Sequence, residues 1–261
     1  MTGLLDMLNT RNELGYWKQK LDEKRASGMP ALEVLEAYIQ MMNRLMFHHL
    51  LEEGVACFEE ALKYREEKNV TDDEALGALL YWGGKLHLKL EHWEQGKTYL
   101  LAARECFMKV ESYKLILAGC CKILSRLYLS EGQLKEGRRF AEECIACYKN
   151  SLGESCYLAQ DYDDIGKAFQ DLHVYHEAIE YDNAAVRVYR RRIRSTRGLD
   201  VMFLAKRESG YMCMRDLYQR IAQCHKEMGN HFRSVVHNLM SLEMSVKYLI
   251  VSTIMEKIYS E

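Results

Sequence analysis

Apolar side chains recur along this chain at steps of three and four positions, which is the period of amphipathic helices. One stripe of this kind follows Pro30, and proline favours the first turn of a helix. Its members are Leu32, Leu35, Tyr38, Ile39, Met42, Leu45 and Met46. Because the same period continues along nearly the whole chain, the pattern predicts an all-α protein.

The helical pattern also occurs five times in register. The first helix of each repeat carries a large residue, a small residue next to it, and an aromatic or other large residue three positions later. A turn then leads to a second helix that carries small and apolar residues. Small residues near the start of a second helix let the paired helices cross closely, and bulky residues fill the remaining spaces. The small residues are Gly54, Gly96, Gly137, Ala178 and Ser234, spaced 42, 41, 41 and 56 residues apart. The expected bulky fillers are Trp93, Tyr128, Phe169 and Tyr175.

These five segments resemble the tetratricopeptide repeat (TPR), with its large–Leu–Gly–Tyr first helix and Ala–Phe–Ala second helix. The resemblance covers roughly residues 34–245. A standard repeat has about 34 residues and a proline at its end, whereas here the usual spacing is 41 or 42 and that proline is missing. In this respect the chain resembles the long repeats of kinesin light chains and Leu-Gly-Asn-repeat proteins. The resemblance implies a right-handed superhelix of stacked antiparallel helix pairs, with about twelve helices.

Several positions depart from the family pattern. Met42 replaces the small residue of the first repeat, and Asp182 and Asn238 replace the usual aromatic residue of the last two. The fourth spacing is the longest because of an insertion at 186–213. Within it, Gly198-Leu199-Asp200 is expected to interrupt the helix.

We therefore predict three parts: an N-terminal helix over 1–30, five TPR-like helix pairs over 31–245, and a C-terminal capping or docking helix over 246–261. A terminal repeat normally presents a polar outer face. Here the C-terminal stretch from His231 to Tyr259 stays apolar. This pattern favours packing against another subunit, or a natural chain that is longer. Its apolar residues are Leu239, Leu242, Val246, Leu249, Ile250, Ile254 and Ile258.

Composition narrows the classes of function. One proline among 261 residues argues against a turn-rich β-fold, and 36 basic residues nearly balance 38 acidic ones, so no global charge marks a nucleic-acid binder. There is no run of 18 uncharged apolar residues, so no membrane span is expected. Nine cysteines without a secretory signal pattern indicate free thiols and a cytoplasmic location, with cytoskeletal or nuclear association left open.

Two motifs raise the question of chemistry. Cys144-Ile145-Ala146-Cys147 has the spacing of a redox or half-zinc motif, but no second such pair follows, and Cys144 takes a small-residue packing position. His48 and His49 point about 100° apart on a helix and fall at a predicted turn. Phosphate-loop, nucleophile-elbow and kinase signatures are missing. We therefore predict no enzyme activity, no cofactor and no metal site.

The TPR resemblance implies a binding groove lined by the first helix of each pair. Carried over to this sequence, the groove is basic at its centre and more apolar towards the N-terminus, which suits a protein segment with acidic residues and an apolar anchor. The alternative is that these lysines form an ordinary solvated face. The proposed groove residues are Tyr81, Lys85, Lys89, Lys122, Arg126, Lys167, Gln223 and Lys226.

A dense basic run lies within the insertion. It allows three interpretations: a solvated helix extension, a contact for an acidic protein partner, or a nucleic-acid patch. The last is disfavoured because only Tyr189 is available for base stacking. The arginines are Arg187, Arg190, Arg191, Arg192, Arg194 and Arg197.

These observations predict a non-catalytic scaffold or adaptor that binds partner segments in its concave groove. One alternative is a structural subunit of a larger assembly, for example cytoskeletal or ciliary, docked through the apolar C-terminal helix. Another is a regulator that is gated by a peptide in the groove.

Overall fold

A computed structural model describes residues 2–152, 156–195 and 201–260, with backbone alone for residues 2–12, 111, 150–152, 156, 201–203 and 259–260. Within these ranges the chain forms eleven α-helices, a 3₁₀ turn at Glu111–Tyr113 and no strand, so the all-α prediction is confirmed. None of the described helices is both long enough and apolar enough to cross a membrane. The helices are α1 (Thr2–Ala26), α2 (Ala31–Phe47), α3 (Leu51–Glu67), α4 (Asp73–Lys89), α5 (Trp93–Met108), α6 (Lys114–Ser130), α7 (Leu134–Leu152), α8 (Cys156–Asp171), α9 (Tyr175–Ser195), α10 (Val201–Glu227) and α11 (His231–Ser260).

The chain divides into two units, Met1–Cys120 and Cys121–Glu261, and the boundary falls within α6. In each repeat, the first helix (α2, α4, α6, α8 or α10) is joined by a short turn to the second (α3, α5, α7, α9 or α11). The described residues thus form five such pairs.

In the first unit, α3 packs against the next pair, α4 and α5. The centre of this core is Phe58 of α3, which is fully buried. A Cβ atom on Gly83 of α4 would lie 2.5 Å from the Phe58 ring. The Tyr99 ring of α5 meets the Phe58 ring edge to face, with centroids 5.0 Å apart. The bulky side chain therefore occupies the space that the small residue leaves open, as the pattern predicts.

The α4–α5 pair depends on two glycines that face each other. A Cβ atom on Gly96 would lie 3.0 Å from the Gly84 carbonyl oxygen and 2.5 Å from Leu88 Cδ2. A Cβ atom on Gly84 would in turn lie 3.1 Å from the Gly96 carbonyl oxygen. Because backbone atoms form part of each contact, a side chain at either position would push the helices apart.

The turn within every pair contains one residue in the left-handed backbone region. The next amide after that residue donates to the carbonyl five residues earlier, as from Leu50 to Leu45 at 2.9 Å and from Gln133 to Tyr128 at 2.8 Å. These residues repeat with the same intervals as the small residues of the second helices. They are His49 (φ 59°), Glu91 (62°), Gly132 (75°), His173 (60°) and Gly229 (74°).

In the second unit, α6 and α7 cross at Gly137, whose carbonyl accepts a 2.8 Å hydrogen bond from the buried Ser125 hydroxyl. The α8–α9 pair buries Phe169, which stacks on Tyr181 with ring centroids 5.4 Å apart. Tyr128 stacks on Phe140 of α7 at 5.3 Å. These contacts confirm Tyr128 and Phe169 as fillers between paired helices.

The prediction for Trp93 is wrong. Trp93 is the first residue of α5, before the close contact of this helix with α4 at Gly96, and 53% of its surface is exposed. Tyr175, the first residue of α9, is only partly buried.

The insertion lengthens two helices. α9 extends to Ser195 and α10 begins at Val201, whereas Gly198-Leu199-Asp200 lies outside the described residues. Residues 246–260 continue α11 from His231 without a break. The division into three parts stays a prediction.

We expect Gly96→Ala to lower the free energy of unfolding by about 1–2 kcal/mol, since the added methyl group meets the Gly84 backbone and must separate α4 from α5. Urea unfolding followed by circular dichroism measures the change. The matched control is Gly15→Ala in α1, where a Cβ atom would meet nothing within 4 Å. The control should be neutral or stabilising, because alanine favours a helix over glycine. Equal effects at the two sites would contradict the close crossing.

Candidate functional site

Three of the predicted groove residues lie one turn apart on α4. Tyr81 is half-buried, Lys85 follows four residues later, and Lys89 is exposed at the end of the helix. The Lys85 ammonium lies 4.1 Å from the ring centroid of Trp82 and 5.1 Å from that of Tyr81. Burial raises the pKa of the Tyr81 phenol to about 12, so this ring stays neutral. We call Tyr81, Trp82, Lys85 and Lys89 the α4 cluster.

The aromatic rings of the α4 cluster define the position of its cation. Tyr81 and Trp82 meet edge to face, with centroids 5.6 Å apart. An ammonium over these faces is attracted by the negative potential of the rings. The sequence predicted Tyr81, Lys85 and Lys89 for this site but missed Trp82, although Trp82 directly follows Tyr81 in the chain.

In the second unit, Lys122 of α6 is partly buried and already bound to acidic residues. Its ammonium lies 2.7 Å from Asp161 Oδ1 and 3.5 Å from Asp164 Oδ2 of α8. Burial lowers the pKa of Lys122, but the hydrogen bond and charge of Asp161 outweigh this effect and raise the pKa above its ordinary value. Lys122 is therefore a charged link between two first helices, and its charge is largely neutralised.

The other predicted residues of the second unit are exposed. Arg126 lies one turn after Lys122 on α6, Lys167 lies on α8, and Lys226 lies near the end of α10. Gln223 donates a hydrogen bond to Glu227 of the same helix. The structure therefore leaves Arg126, Lys167 and Lys226 as cations at the surface of this unit.

A buried ionic network joins α8, α9 and α10. Arg220 Nε donates to Asp182 Oδ2 at 2.8 Å, and Arg220 Nη2 donates to Asp163 Oδ1 at 2.6 Å and to the Asp163 carbonyl at 3.3 Å. Asp182 is fully buried, and the adjoining Gly166 has no room for a side chain because Asp182 fills it. Asp182 takes the place of the usual TPR aromatic residue, so the departure seen in the sequence has a structural role.

The charges in this network depend on each other. Burial raises the pKa of the Asp182 carboxyl to about 6, although the hydrogen bonds and charge of Arg220 act in the opposite direction. Asp182 is therefore ionised at pH 7 and balances the Arg220 guanidinium. Arg220 was not predicted from the sequence. The one available signal was Asp182, an acidic residue at a position where the repeat normally has a buried aromatic residue.

Three of the described arginines of the basic run line two cavities. Arg187 lines a cavity of about 540 Å³ together with Tyr162 and Tyr181. Arg190 and Arg194 line another of about 350 Å³, and Arg190 donates a hydrogen bond to the Tyr218 hydroxyl. Arg191 and Arg192 follow on α9, whereas Arg197 lies outside the described residues.

The cysteine and histidine motifs take structural positions. Cys144 is buried in α7, and burial raises the pKa of its thiol, so the reactive thiolate is disfavoured. His49 is the left-handed turn residue, and His48 Nε2 lies 3.2 Å from Glu13 Oε2 of α1. Among the residues that the structure describes, no group of three or more His, Cys, Asp or Glu side chains is placed to hold a metal ion.

Comparison with known proteins identifies the fold. No protein-family model matches the sequence. No curated protein matches it either.

Solved structures do match. BtubC (BKLC) from P. vanneervenii has a TM-score of 0.69 at 11% identity, with 91% of each chain covered. A putative kinesin light chain of Podosopora anserina, with nearly identical TPR-like repeats, has a TM-score of 0.61 at 13% identity over 84% of this chain and 97% of that one. YrrB, a TPR protein with an unusual peptide-binding site, has a TM-score of 0.55 at 11% identity over 91% and 96%. The chain therefore has a TPR-like fold, and the predicted resemblance is confirmed.

We expect Asp182→Ala to lower the free energy of unfolding by about 3 kcal/mol, because it removes one of the two carboxylates that balance a largely buried guanidinium. Chemical denaturation measures this loss. The control is Asp216→Ala, since Asp216 is exposed on α10 and pairs with the adjacent Arg215. Its effect should stay within about 0.5 kcal/mol. A small effect at both positions would contradict the assignment of Asp182 as a buried partner of the Arg220 guanidinium.

Proposed function

We propose that this chain is a non-catalytic protein-interaction scaffold whose first helices bind acidic segments of partner proteins. The TPR-like fold supports this role, since another protein of that fold, YrrB, has a peptide-binding site. The proposal extends to the absence of a cofactor, because the CxxC and double-histidine motifs have packing and turn roles.

The α4 cluster is the observation that carries the proposal. Lys85 is held over two aromatic rings, and Lys89 adds a second charge one turn later on the exposed end of the helix. A carboxylate of a partner can bind these cations while an apolar side chain packs on the edges of Tyr81 and Trp82. Adjacent charge and aromatic surface therefore suit a segment that combines acidic and apolar residues.

The second unit supports the same ligand chemistry. Arg126 and Lys167 are exposed on the first helices α6 and α8, whereas Lys122 is engaged by Asp161. We therefore place the binding function on Arg126, Lys167 and Lys226, and we assign Lys122 to holding α6 against α8. We do not assign nucleic-acid binding to the basic run, because Arg187, Arg190 and Arg194 each share a cavity with glutamate side chains.

The thiols support a reducing location. Cys120, Cys121 and Cys144 are buried free thiols. Unpaired buried cysteines are typical of a reducing compartment. We propose a cytoplasmic site of action, with association to the cytoskeleton or the nucleus as finer possibilities.

The groove is tested by reversing its charges. A fluorescein-labelled peptide of glutamates interrupted by leucine and phenylalanine serves as the probe, and fluorescence anisotropy measures its affinity. We expect Lys85→Glu and Arg126→Glu each to weaken binding at least about tenfold, which corresponds to about 1.4 kcal/mol. Raising the salt concentration should weaken binding to the unchanged chain, because exposed charges are screened.

The control variant is Lys63→Glu on the second helix α3, whose side chain is 78% exposed and lies outside the proposed surface. Circular dichroism checks that all variants keep their helical content. Unchanged affinity in both groove variants would contradict the proposal. Crosslinking in native extract, compared between the unchanged chain and the two variants, then identifies the partner whose capture depends on these charges.

A role as a subunit of a larger assembly is the second candidate. It is favoured by α11, where Phe232 is 79% exposed and Leu239 and Leu242 are each 61% exposed. Exposed apolar residues in such density mark an association surface.

A further inference from the structure

One side of α11 is used by the second unit itself. Ser234, Ser241, Met244 and Val251 are buried, at steps of seven, three and seven residues. They bring α11 against α10, where His225 and His237 lie with ring centroids 5.1 Å apart. α11 therefore packs onto its own unit through this side.

The opposite side of α11 is apolar and exposed. Its large side chains alternate at steps of three and four, and each is at least 50% exposed. We call this set the α11 stripe; it consists of Phe232, Val235, Leu239, Leu242, Val246 and Leu249. Phe232, Leu239 and Val246 follow one another at intervals of seven residues, and so do Val235, Leu242 and Leu249. Such a heptad spacing keeps two helices in contact along their length.

We propose that the α11 stripe binds the α11 stripe of a second copy of this chain, with the two helices antiparallel. A two-fold axis beside Met240 and Ser241 places Leu239 of one copy against Leu242 of the second copy. The same axis places Val235 against Val246 and Phe232 against Leu249. Read from its N-terminal end, the stripe begins with Phe, Val and Leu; read from its C-terminal end, it begins with Leu, Val and Leu. In the antiparallel pair, valine therefore packs against valine, leucine against leucine, and phenylalanine against leucine.

The flanks of the stripe do not oppose this pairing. On one flank Asn238 faces Ser245 of the second copy, and both are uncharged. On the other flank Glu243 faces Val236 of the second copy, and its charge is already balanced by Lys247 of its own helix. The antiparallel arrangement also sets the two helix dipoles in the favourable orientation. A charged partner would gain little from this surface, whereas an identical stripe matches it residue for residue.

The size of the surface is sufficient for a dimer. The six residues are 50 to 79% exposed, which amounts to roughly 700 Å² of accessible surface on each copy before pairing, against ~800 Å² buried per partner in a standard interface. A patch of this size also exceeds what monomers usually leave exposed to water. Pairing of two copies is a specific form of the second candidate function, the subunit role, because it identifies what binds the α11 stripe. It does not depend on the α4 cluster.

Analytical ultracentrifugation of the whole chain at about 10 µM should show a dimer. Leu242→Arg should weaken dimerisation at least tenfold, because it places a charge at the centre of the interface. Leu242 is exposed in the single chain, so circular dichroism should show unchanged helical content. The matched control is Leu115→Arg on α6, where Leu115 is 43% exposed and lies outside the stripe. This variant should dimerise like the unchanged chain.

Orientation is tested by charge rescue. Leu239→Glu should also dissociate the dimer. Mixed with Leu242→Arg, it should form a heterodimer, since the antiparallel axis sets position 239 of one copy against position 242 of the other. Directed disulfide formation gives an independent readout: a mixture of Phe232→Cys and Leu249→Cys should crosslink, and Phe232→Cys alone should not.

Three results would overturn the inference: a monomeric unchanged chain, a dimer that Leu242→Arg leaves intact, or crosslinking of Phe232→Cys to itself. Binding of the acidic peptide is measured separately on the same samples. A chain that stays monomeric but binds the peptide would remove the pairing of copies and keep the proposed scaffold function. A dimer that binds no peptide would keep the pairing of copies and contradict the proposed scaffold function.

Discussion

The close crossing of paired helices is the constraint on which the rest of this structure depends. Gly84 and Gly96 bring the backbones of α4 and α5 within reach of each other, and Gly137 allows Ser125 to bond across the α6–α7 crossing. Helices that cross so near their connection must reverse direction within a few residues. The left-handed residue in every turn provides that reversal, and this explains why turn residues and small residues share one set of intervals.

The ionic network of the second unit lies where that regular interval is lost. Between the fourth and fifth pairs the spacing rises to 56 residues, so α9 and α10 are longer than their counterparts. Asp182 and Arg220 join these two helices, and Asp163 extends the contact to α8. Apolar packing tolerates a shift along the helix axis better than directed hydrogen bonds do. A buried pair that adds little net stability can therefore still determine the register of the longer helices.

The repeated fold was predictable because its signals are local. The spacing of Gly54, Gly96 and Gly137 is visible in the sequence, and so is the helical period around each of them. Trp93 was misplaced because its motif position does not reveal that α5 begins there, with the ring at the exposed first position. The candidate site was less predictable. Lys122 occupies a predicted groove position of the motif, yet its partner Asp161 is brought near by the packing of α6 and α8, which no local pattern indicates.

The α4 cluster and the α11 stripe have different physical properties, and this difference separates the roles proposed for them. Binding of an acidic segment to surface cations would be fast and reversible, because electrostatic attraction mainly speeds association and is screened by salt. An apolar stripe stays unfavourable in water until it is covered, whatever the ionic strength. A permanent contact is therefore better placed on α11 and an exchangeable one on the first helices. A dimer formed through α11 would also present two sets of first helices to one partner, so that weak binding at each set combines into stronger binding overall.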